Sequence, residues 1–211
     1  MPLEYEYQFF NYDKQVIIKT IKKLKFKKKG IFIFKVMVFN HPLKIDDTYI
    51  RIRDEGHKIT LTYKVKDPKS KFENEDEIII DNFDTGVKIL LNLGCTTAYS
   101  YEKIREIWFS GTDEIIFDTN PGEPERMEIE SNTKKELDIL TNELNLQDFI
   151  VSDDYDPIEK LFGFKLNITK PLTFLTVKKE LSKFVTKNKK MFNNLIKDQL
   201  ILYNDLINKK K

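Results

Sequence analysis

The sequence predicts an α+β fold: an antiparallel sheet of eight strands, open or closed into a barrel, flanked by helices and followed by a helical C-terminal extension. Three observations predict it. Eight short segments carry the residue pattern of strands, most with apolar and polar side chains alternating at a two-residue period. Most are joined by short turns, which link antiparallel neighbours, whereas parallel strands need a crossover of about a dozen residues or more. From residue 151 onward only helical spacing and helix-end signals remain, so 1–150 reads as the sheet or barrel domain and 151–211 as an extension packed on or beside it.

In order, a strand spans 3–9, and a helix runs from about 13 to 25 with Asp13 as N-cap and Ile17, Ile21 and Leu24 on one side. Residues 31–39 form a strand that is apolar on both faces, which leaves its orientation open. Strands at 48–53 and 58–65 flank the hairpin turn Asp54-Glu55-Gly56-His57. A polar loop with Asp67-Pro68-Lys69-Ser70 leads into a strand near 75–80, and a helix at about 84–93 ends at Gly94. Strands at 99–109 and 114–119 flank Ser110-Gly111-Thr112-Asp113, and a Pro-Gly turn at 120–124 starts the strand at 125–131. Thr133 and Glu136 form a capping-box pattern ahead of Leu137, Leu140 and Leu144. Asp156-Pro157 opens and Gly163 closes a short helix. Helices near 174–186 and 189–208 follow, the second carrying the stripe Phe192, Leu195, Ile196, Gln199, Tyr203, Leu206 and Ile207.

The 211 residues suffice for a real core, and a net charge of +2 gives no global case for nucleic acid. Two basic runs, 22–29 and the ten lysines from Lys178 to Lys211, read as solvated helix faces, with RNA or an anionic surface as the alternative partner. The single cysteine, Cys95, excludes an intramolecular disulfide and a multi-cysteine zinc site and fits a reducing compartment. No apolar run approaches membrane-spanning length, and the N-terminus lacks the basic and apolar regions of a signal peptide. The expectation is a cytoplasmic protein with no membrane partner.

Chemistry enters through like-charged residues two positions apart. Glu4/Glu6, Arg51/Arg53, Lys103/Arg105, Glu128/Glu130 and, less cleanly, Glu75/Glu77 each share one face of a strand, while their alternating neighbours are mostly apolar. One face of the sheet thus carries acids on some strands and bases on others. Glutamates without Cys or His beside them suit Mg²⁺, Mn²⁺ or Ca²⁺ rather than zinc, and neighbouring carboxylates repel unless a cation neutralises them. The bases, joined by Lys64 on the face of Thr60 and Thr62, suit a ligand with several negative charges, such as a triphosphate. Trp108 falls on the opposite face, toward a core, while Tyr99 and Tyr101 share the basic face.

In order and spacing, these motifs resemble the CYTH family, the triphosphate tunnel metalloenzymes. Glu4-Tyr5-Glu6-Tyr7-Gln8 is similar to its N-terminal Glu-x-Glu-x-Lys strand. Arg51-Ile52-Arg53 with Lys64 is similar to its Arg-x-Arg hairpin, and Lys103-Ile104-Arg105, Asp118 and Glu128-Ile129-Glu130 are similar to its later strands. The resemblance implies an eight-stranded antiparallel barrel whose polar lumen binds triphosphate and Mg²⁺ or Mn²⁺. Glu4, Glu6, Glu128 and Glu130 would hold metal, with Asp118 a further ligand. Arg51, Arg53, Lys64, Lys103 and Arg105 would grip phosphates, and Gln8 would contact substrate. The resemblance implies that catalysis rests on Glu4, Glu6, Arg53, Lys64, Arg105, Glu128 and Glu130. Gln8 stands where the pattern has lysine, so it donates hydrogen bonds without a charge, and weaker catalysis or altered preference is expected. The implied reaction is hydrolysis of an inorganic, nucleoside, thiamine or RNA 5′ triphosphate. The alternatives are a class IV adenylyl cyclase, or a nucleotide- or polyphosphate-binding module.

Overall fold

Alternation along the strands gives the sheet one charged and one apolar face, and β1 closes it by pairing with both β8 and β5. The computed structural model describes residues 3–66, 72–152, 155–166 and 171–209; the loop expected at Asp67–Ser70 lies outside them. Eight strands, β1 (Leu3–Phe9), β2 (Lys27–Asn40), β3 (Thr48–Asp54), β4 (Ile59–Lys66), β5 (Glu73–Ile80), β6 (Thr96–Ser110), β7 (Asp113–Thr119) and β8 (Arg126–Ser131), form a closed barrel in the order β1-β5-β4-β3-β2-β6-β7-β8. Every pairing is antiparallel. The seam between β1 and β5 is short, consisting of Leu3 opposite Asn74 and Glu4 opposite Glu73.

Because cross-strand partners share a face, the registers assign every lumen residue once one is placed. Most outward residues are apolar and packed beneath helices, with Lys35, Asp76 and Glu106 as charged exceptions on the outer face. Helices α1 (Lys14–Lys23) and α3 (Lys134–Glu143) bury Ile17, Ile21, Leu137 and Leu140 against Phe9, Trp108, Ile115, Phe117, Met127 and Ile129. Helix α2 (Phe83–Asn92) covers Ile50, Ile52 and Phe39. Strand β2 resolves its ambiguity by being buried on both sides. Phe34, Val36 and Val38 face the lumen with Tyr49, Tyr99 and Tyr101, while Ile33 lies outside with Ile104 beneath the last helix. Each predicted cap forms: Asp13, Thr133 and Asp156 accept from helix N–H groups, and Gly163 takes a φ of 77°.

The C-terminal residues build a satellite core on the barrel wall. Helix α4 (Pro157–Phe162) and helix α6 (Lys189–Lys209) meet through Phe162 and Phe192, whose rings pack edge to face at 5.0 Å. Beyond the end of β7, the free edge of β6 is taken by Leu172, which receives from Glu102 N at 3.0 Å and donates to Ser100 O at 3.1 Å. Gln199, buried on α6, holds the turn before β8: its amide donates to Asn120 O and Glu123 O, and its oxygen accepts from Gly122 N.

Two expectations are corrected. The helix expected over 174–186 shrinks to α5, Val177–Leu181. Thr173 and Thr176 exchange side-chain bonds with each other's backbone N–H, forming a turn in place of the first helical turn, and Thr186 N is drawn to Phe162 O. The basic run 22–29 is not one helix face. Helix α1 stops at Lys23, Lys25 turns the chain at φ 66°, and Lys27–Lys29 begin β2, where Lys28 pairs with Glu106 at 2.8 Å.

Candidate active site in the barrel lumen

The lumen is a cavity of about 1620 Å³, and its lining includes Glu6, Gln8, Arg51, Arg53, Lys64, Lys103, Arg105, Glu128 and Glu130. The strands thus bring the expected bases and acids into one space. Glu4 lies two residues before Glu6 on β1, opposite Glu73 of β5. Asp118 sits behind the lining, fully buried.

The bases converge on one ring. Arg53 from β3 and Lys103 and Arg105 from β6 stand 5.4, 5.8 and 5.7 Å from the centre of Phe34, which β2 supplies between them. Such an apolar floor holds cations by their quadrupole attraction while giving them no counter-charge. Acids at the margins orient them. Arg53 pairs with Glu55 at 2.7 Å and with Glu77 at 3.4 Å, Arg51 bonds Thr62 at 3.2 Å, and Lys64 meets Glu75 at 2.7 Å. Among the described residues, the buried Nε–H groups of Arg51 and Arg53 find no acceptor. Protein carboxylates therefore do not saturate these donors.

Asp118 carries most of the organisation on the β6 side. Its oxygens accept from Arg105 Nε at 2.7 Å, Arg105 Nη2 at 2.5 Å and Lys103 Nζ at 2.7 Å, and Arg105 reaches on to Glu128 at 2.7 Å. Burial would raise the Asp118 carboxyl, but Arg105 and Lys103 outweigh it and hold Asp118 well below the usual carboxylate range. Arg105 and Arg126 likewise hold Glu128 down against its burial. Lys103 is pushed down to about 7, first by burial and next by Arg105, with Asp118 and Glu128 pulling the other way. Burial and then Arg51 and Arg105 lower Arg53.

The acids gather across β1, β8 and β7. Glu6 is directly opposite Glu130, Glu130 directly opposite Glu114, and Gln8 opposite Glu128. Like charges in direct cross-strand opposition destabilise a sheet unless something neutralises them. The Gln8 amide donates to Glu6 at 2.8 Å, which leaves it aimed along this acidic row. Among the described residues, no three of His, Cys, Asp or Glu already stand together as a cation cage. The donors are nevertheless hard oxygens on adjacent strands, and Mg²⁺ is commonly held by one or two carboxylates together with substrate phosphates.

Sequence reasoning missed three residues. Arg126 pairs with Glu128 at 2.9 Å and lies 3.7 Å from Asp118; its signal was parity, two residues before Glu128 on one strand. Phe34 was hidden because both faces of its strand are apolar. Glu55 was read as a turn residue pairing with the bases at the surface, whereas it is buried beside Arg53. Trp108 faces the outer core as expected, and His57 is exposed while His41 is half-buried.

A profile of the CYTH domain matches residues 3–147. The chain belongs to the CYTH family. The CYTH barrel also matches solved structures. A protein from Pyrococcus horikoshii OT3 is 20% identical with a TM-score of 0.61, covering 74% of this chain and 98% of its own. A candidate adenylate cyclase from Vibrio parahaemolyticus is 15% identical with a TM-score of 0.63, covering 73% and 95%. A Hippeastrum candidate adenylyl cyclase, described as having a dominant triphosphatase activity, is 14% identical with a TM-score of 0.52, covering 74% and 93%. At these identities the likeness establishes the fold. No curated protein sequence matches this chain. Among the described residues, no helix is long and apolar enough to cross a membrane.

Proposed function

We propose that the protein is a metal-dependent triphosphatase acting inside the barrel lumen. The observation that carries this reading is the facing of two charge rows in one cavity: Arg53, Lys103 and Arg105 around Phe34, and Glu6, Glu130 and Glu128 across β1 and β8. Membership of the CYTH family supports triphosphate chemistry, as do the activities named for the Vibrio and Hippeastrum proteins.

Arg51, Arg53, Lys64, Lys103 and Arg105 bind the phosphate chain, the guanidinium groups as bidentate forks and the lysines as point charges. Glu4, Glu6, Glu128 and Glu130 would hold Mg²⁺ or Mn²⁺, which supplies charge neutralisation and polarisation of phosphoryl oxygens when bound. Asp118 has both oxygens committed to Lys103 and Arg105, so its part is to fix the aim of those cations rather than to ligate metal. Water attacks the terminal phosphorus, a carboxylate of the acidic row takes its proton, and the bond to the bridging oxygen breaks, with diphosphate or its ester leaving. The cations neutralise charge on the transferred group and on the leaving group. Residues 1–150 form the unit that carries this chemistry, and 151–211 buttress it.

The test is a panel of inorganic triphosphate, ATP and thiamine triphosphate with Mg²⁺ and with Mn²⁺, each product resolved. Orthophosphate release, abolished by Arg105→Ala and by Glu128→Ala, is expected. Cyclic nucleotide plus diphosphate would assign a cyclase instead, and full activity in either variant would overturn the site.

A further inference from the structure

Across β6, β7 and β8 a base, an acid and a base stand in one cross-strand row: Arg105 is directly opposite Asp118, and Asp118 directly opposite Arg126. Opposite charges facing each other across a ladder ordinarily pair, yet Asp118 bonds only one of its two arginines. Its oxygens accept twice from Arg105 and once from Lys103, and Arg126 is left 3.7 Å away. Arg126 turns instead along its own strand to Glu128, where its Nη2 lies 2.9 Å from Oε1. Arg105 Nη2 meets the other oxygen, Oε2, at 2.7 Å. Glu128 is therefore clamped between two guanidinium groups, one on each oxygen.

The two clamps are unequal. Arg105 is fixed by its two bonds to Asp118 as well as by Glu128, and its side chain is 12% exposed. The Arg126 side chain is 25% exposed and lines the cavity, and among the described residues its buried Nε–H finds no acceptor. Arg126 can leave Glu128 by turning into the lumen, whereas Arg105 cannot leave without abandoning Asp118. Burial works against the Arg126 charge, but Glu128 and Asp118 outweigh it and keep the guanidinium ionised.

Glu128 is also one of the carboxylates that would hold Mg²⁺ or Mn²⁺. Each of its oxygens keeps a second lone pair, so the obstacle to a dication there is charge. A doubly positive ion set beside both arginines meets two like charges at contact distance. We infer that Arg126 and the divalent cation are alternative partners of Glu128, so that Arg126 sets the metal affinity of the lumen. Arg126 neutralises the carboxylate until a cation takes it, then swings away and offers its fork to the phosphate chain. The inference rests on the triphosphate reading above and deepens it. Arg126 thus weakens binding of the cation alone and strengthens binding of triphosphate once the cation is present, a coupling that is reciprocal between the two ligands.

The experiment titrates the full chain with Mn²⁺ alone, following free Mn²⁺ by electron paramagnetic resonance, for the wild type, Arg126→Gln, Arg126→Met and Arg126→Lys. Calorimetry then measures inorganic triphosphate binding to each, without and with Mn²⁺. Arg126→Gln and Arg126→Met are expected to bind Mn²⁺ about tenfold or more tightly than the wild type, the scale of one charged hydrogen bond. Arg126→Lys keeps the charge and is expected to stay within about threefold of the wild type. In the two neutral variants the gain in triphosphate affinity conferred by Mn²⁺ is expected to shrink by about tenfold, while the affinity without metal is retained. Unchanged or weaker Mn²⁺ binding in both neutral variants, a gain as large as in the wild type, or failure of both to fold would make Arg126 a structural support of Glu128. Each of these results would overturn the inference while leaving the triphosphate reading intact. A wild-type protein that binds neither Mn²⁺ nor triphosphate, alone or together, would overturn both.

Discussion

Replacing Asp118 with Asn tests whether one buried carboxylate holds the cationic side of the lumen in place. Asp118 is completely buried, and its oxygens bind Arg105 twice and Lys103 once at 2.5–2.7 Å, with Arg126 at 3.7 Å. In the variant, Lys103, Arg105 and Arg126 lose their shared carboxylate and keep Glu128, with a weaker pull from Glu6 on the two arginines. Removing one partner of a buried ion pair costs about 3–5 kcal/mol. In a domain of this size each kcal/mol lowers Tm by about 2–4 °C, so a fall of about 6–20 °C is expected. The loss depends on pH in a definite sense. Lys103 is already pushed down to about 7, and losing Asp118 removes an attraction that favours its charge. At pH 9 Lys103 is neutral in both proteins, so no Lys103–Asp118 attraction is lost; at pH 6 it is charged in the wild type and that lost attraction adds to the penalty. Urea unfolding at both pH values, followed by the fluorescence of the single tryptophan, Trp108, measures it. A loss below about 1 kcal/mol at both pH values would refute the reasoning, because the network would then be worth no more than a surface pair.

Three further outcomes are expected. Lys103 carries its charge below about pH 7, so affinity for inorganic triphosphate falls as pH rises from 7 to 9, and Lys103→Met shows a shallower dependence by calorimetry. Stability moves oppositely: between about 7 and the unfolded value near 10.4 the unfolded chain binds more protons, so the Lys103 contribution to stability rises with pH. Gln8→Lys sets a charge beside Glu6 and opposite Glu128, and is expected to raise turnover about tenfold or more with at least one triphosphate; unchanged turnover with every triphosphate would remove any role for charge at that position. Phe192→Ala empties the edge-to-face contact with Phe162 and is expected to cost about 3–5 kcal/mol in urea unfolding. A cost below about 1 kcal/mol would show that α6 is not part of the folded unit.

Where charge and parity coincided, the sequence was legible. Arg51/Arg53, Lys103/Arg105 and Glu128/Glu130 each occupy alternate positions of one strand, so any fold burying Ile52, Ile104 and Ile129 had to turn them to the other side. The β-hairpins were legible for the same reason, as was the outward face of Trp108. Strand β2 was not, because a strand buried between an apolar lumen floor and covering helices has no polar face to betray its orientation. Phe34 was lost with it. Arg126 was lost because a lone base before Glu128 reads as surface. The pairing of Asp118 with Lys103 and Arg105 depends on the β6–β7 register, which the Ser110–Asp113 turn sets so that Arg105 lies opposite Asp118; the turn was legible, but that Asp118 would bind these cations rather than a metal was not. The segment at 174–186 failed because threonine hydroxyls competed for the backbone groups that helical propensity had claimed.

The central claim is that the basic and acidic rows act on one ligand assembly, and calorimetric titration of inorganic triphosphate tests it most directly. The wild-type protein and Glu130→Gln are compared, each with and without Mg²⁺. The account predicts that Mg²⁺ tightens binding to the wild type and that Glu130→Gln loses most of that tightening while keeping the metal-free affinity set by the bases. Triphosphate that binds equally well with and without the cation, or that does not bind at all, would contradict it.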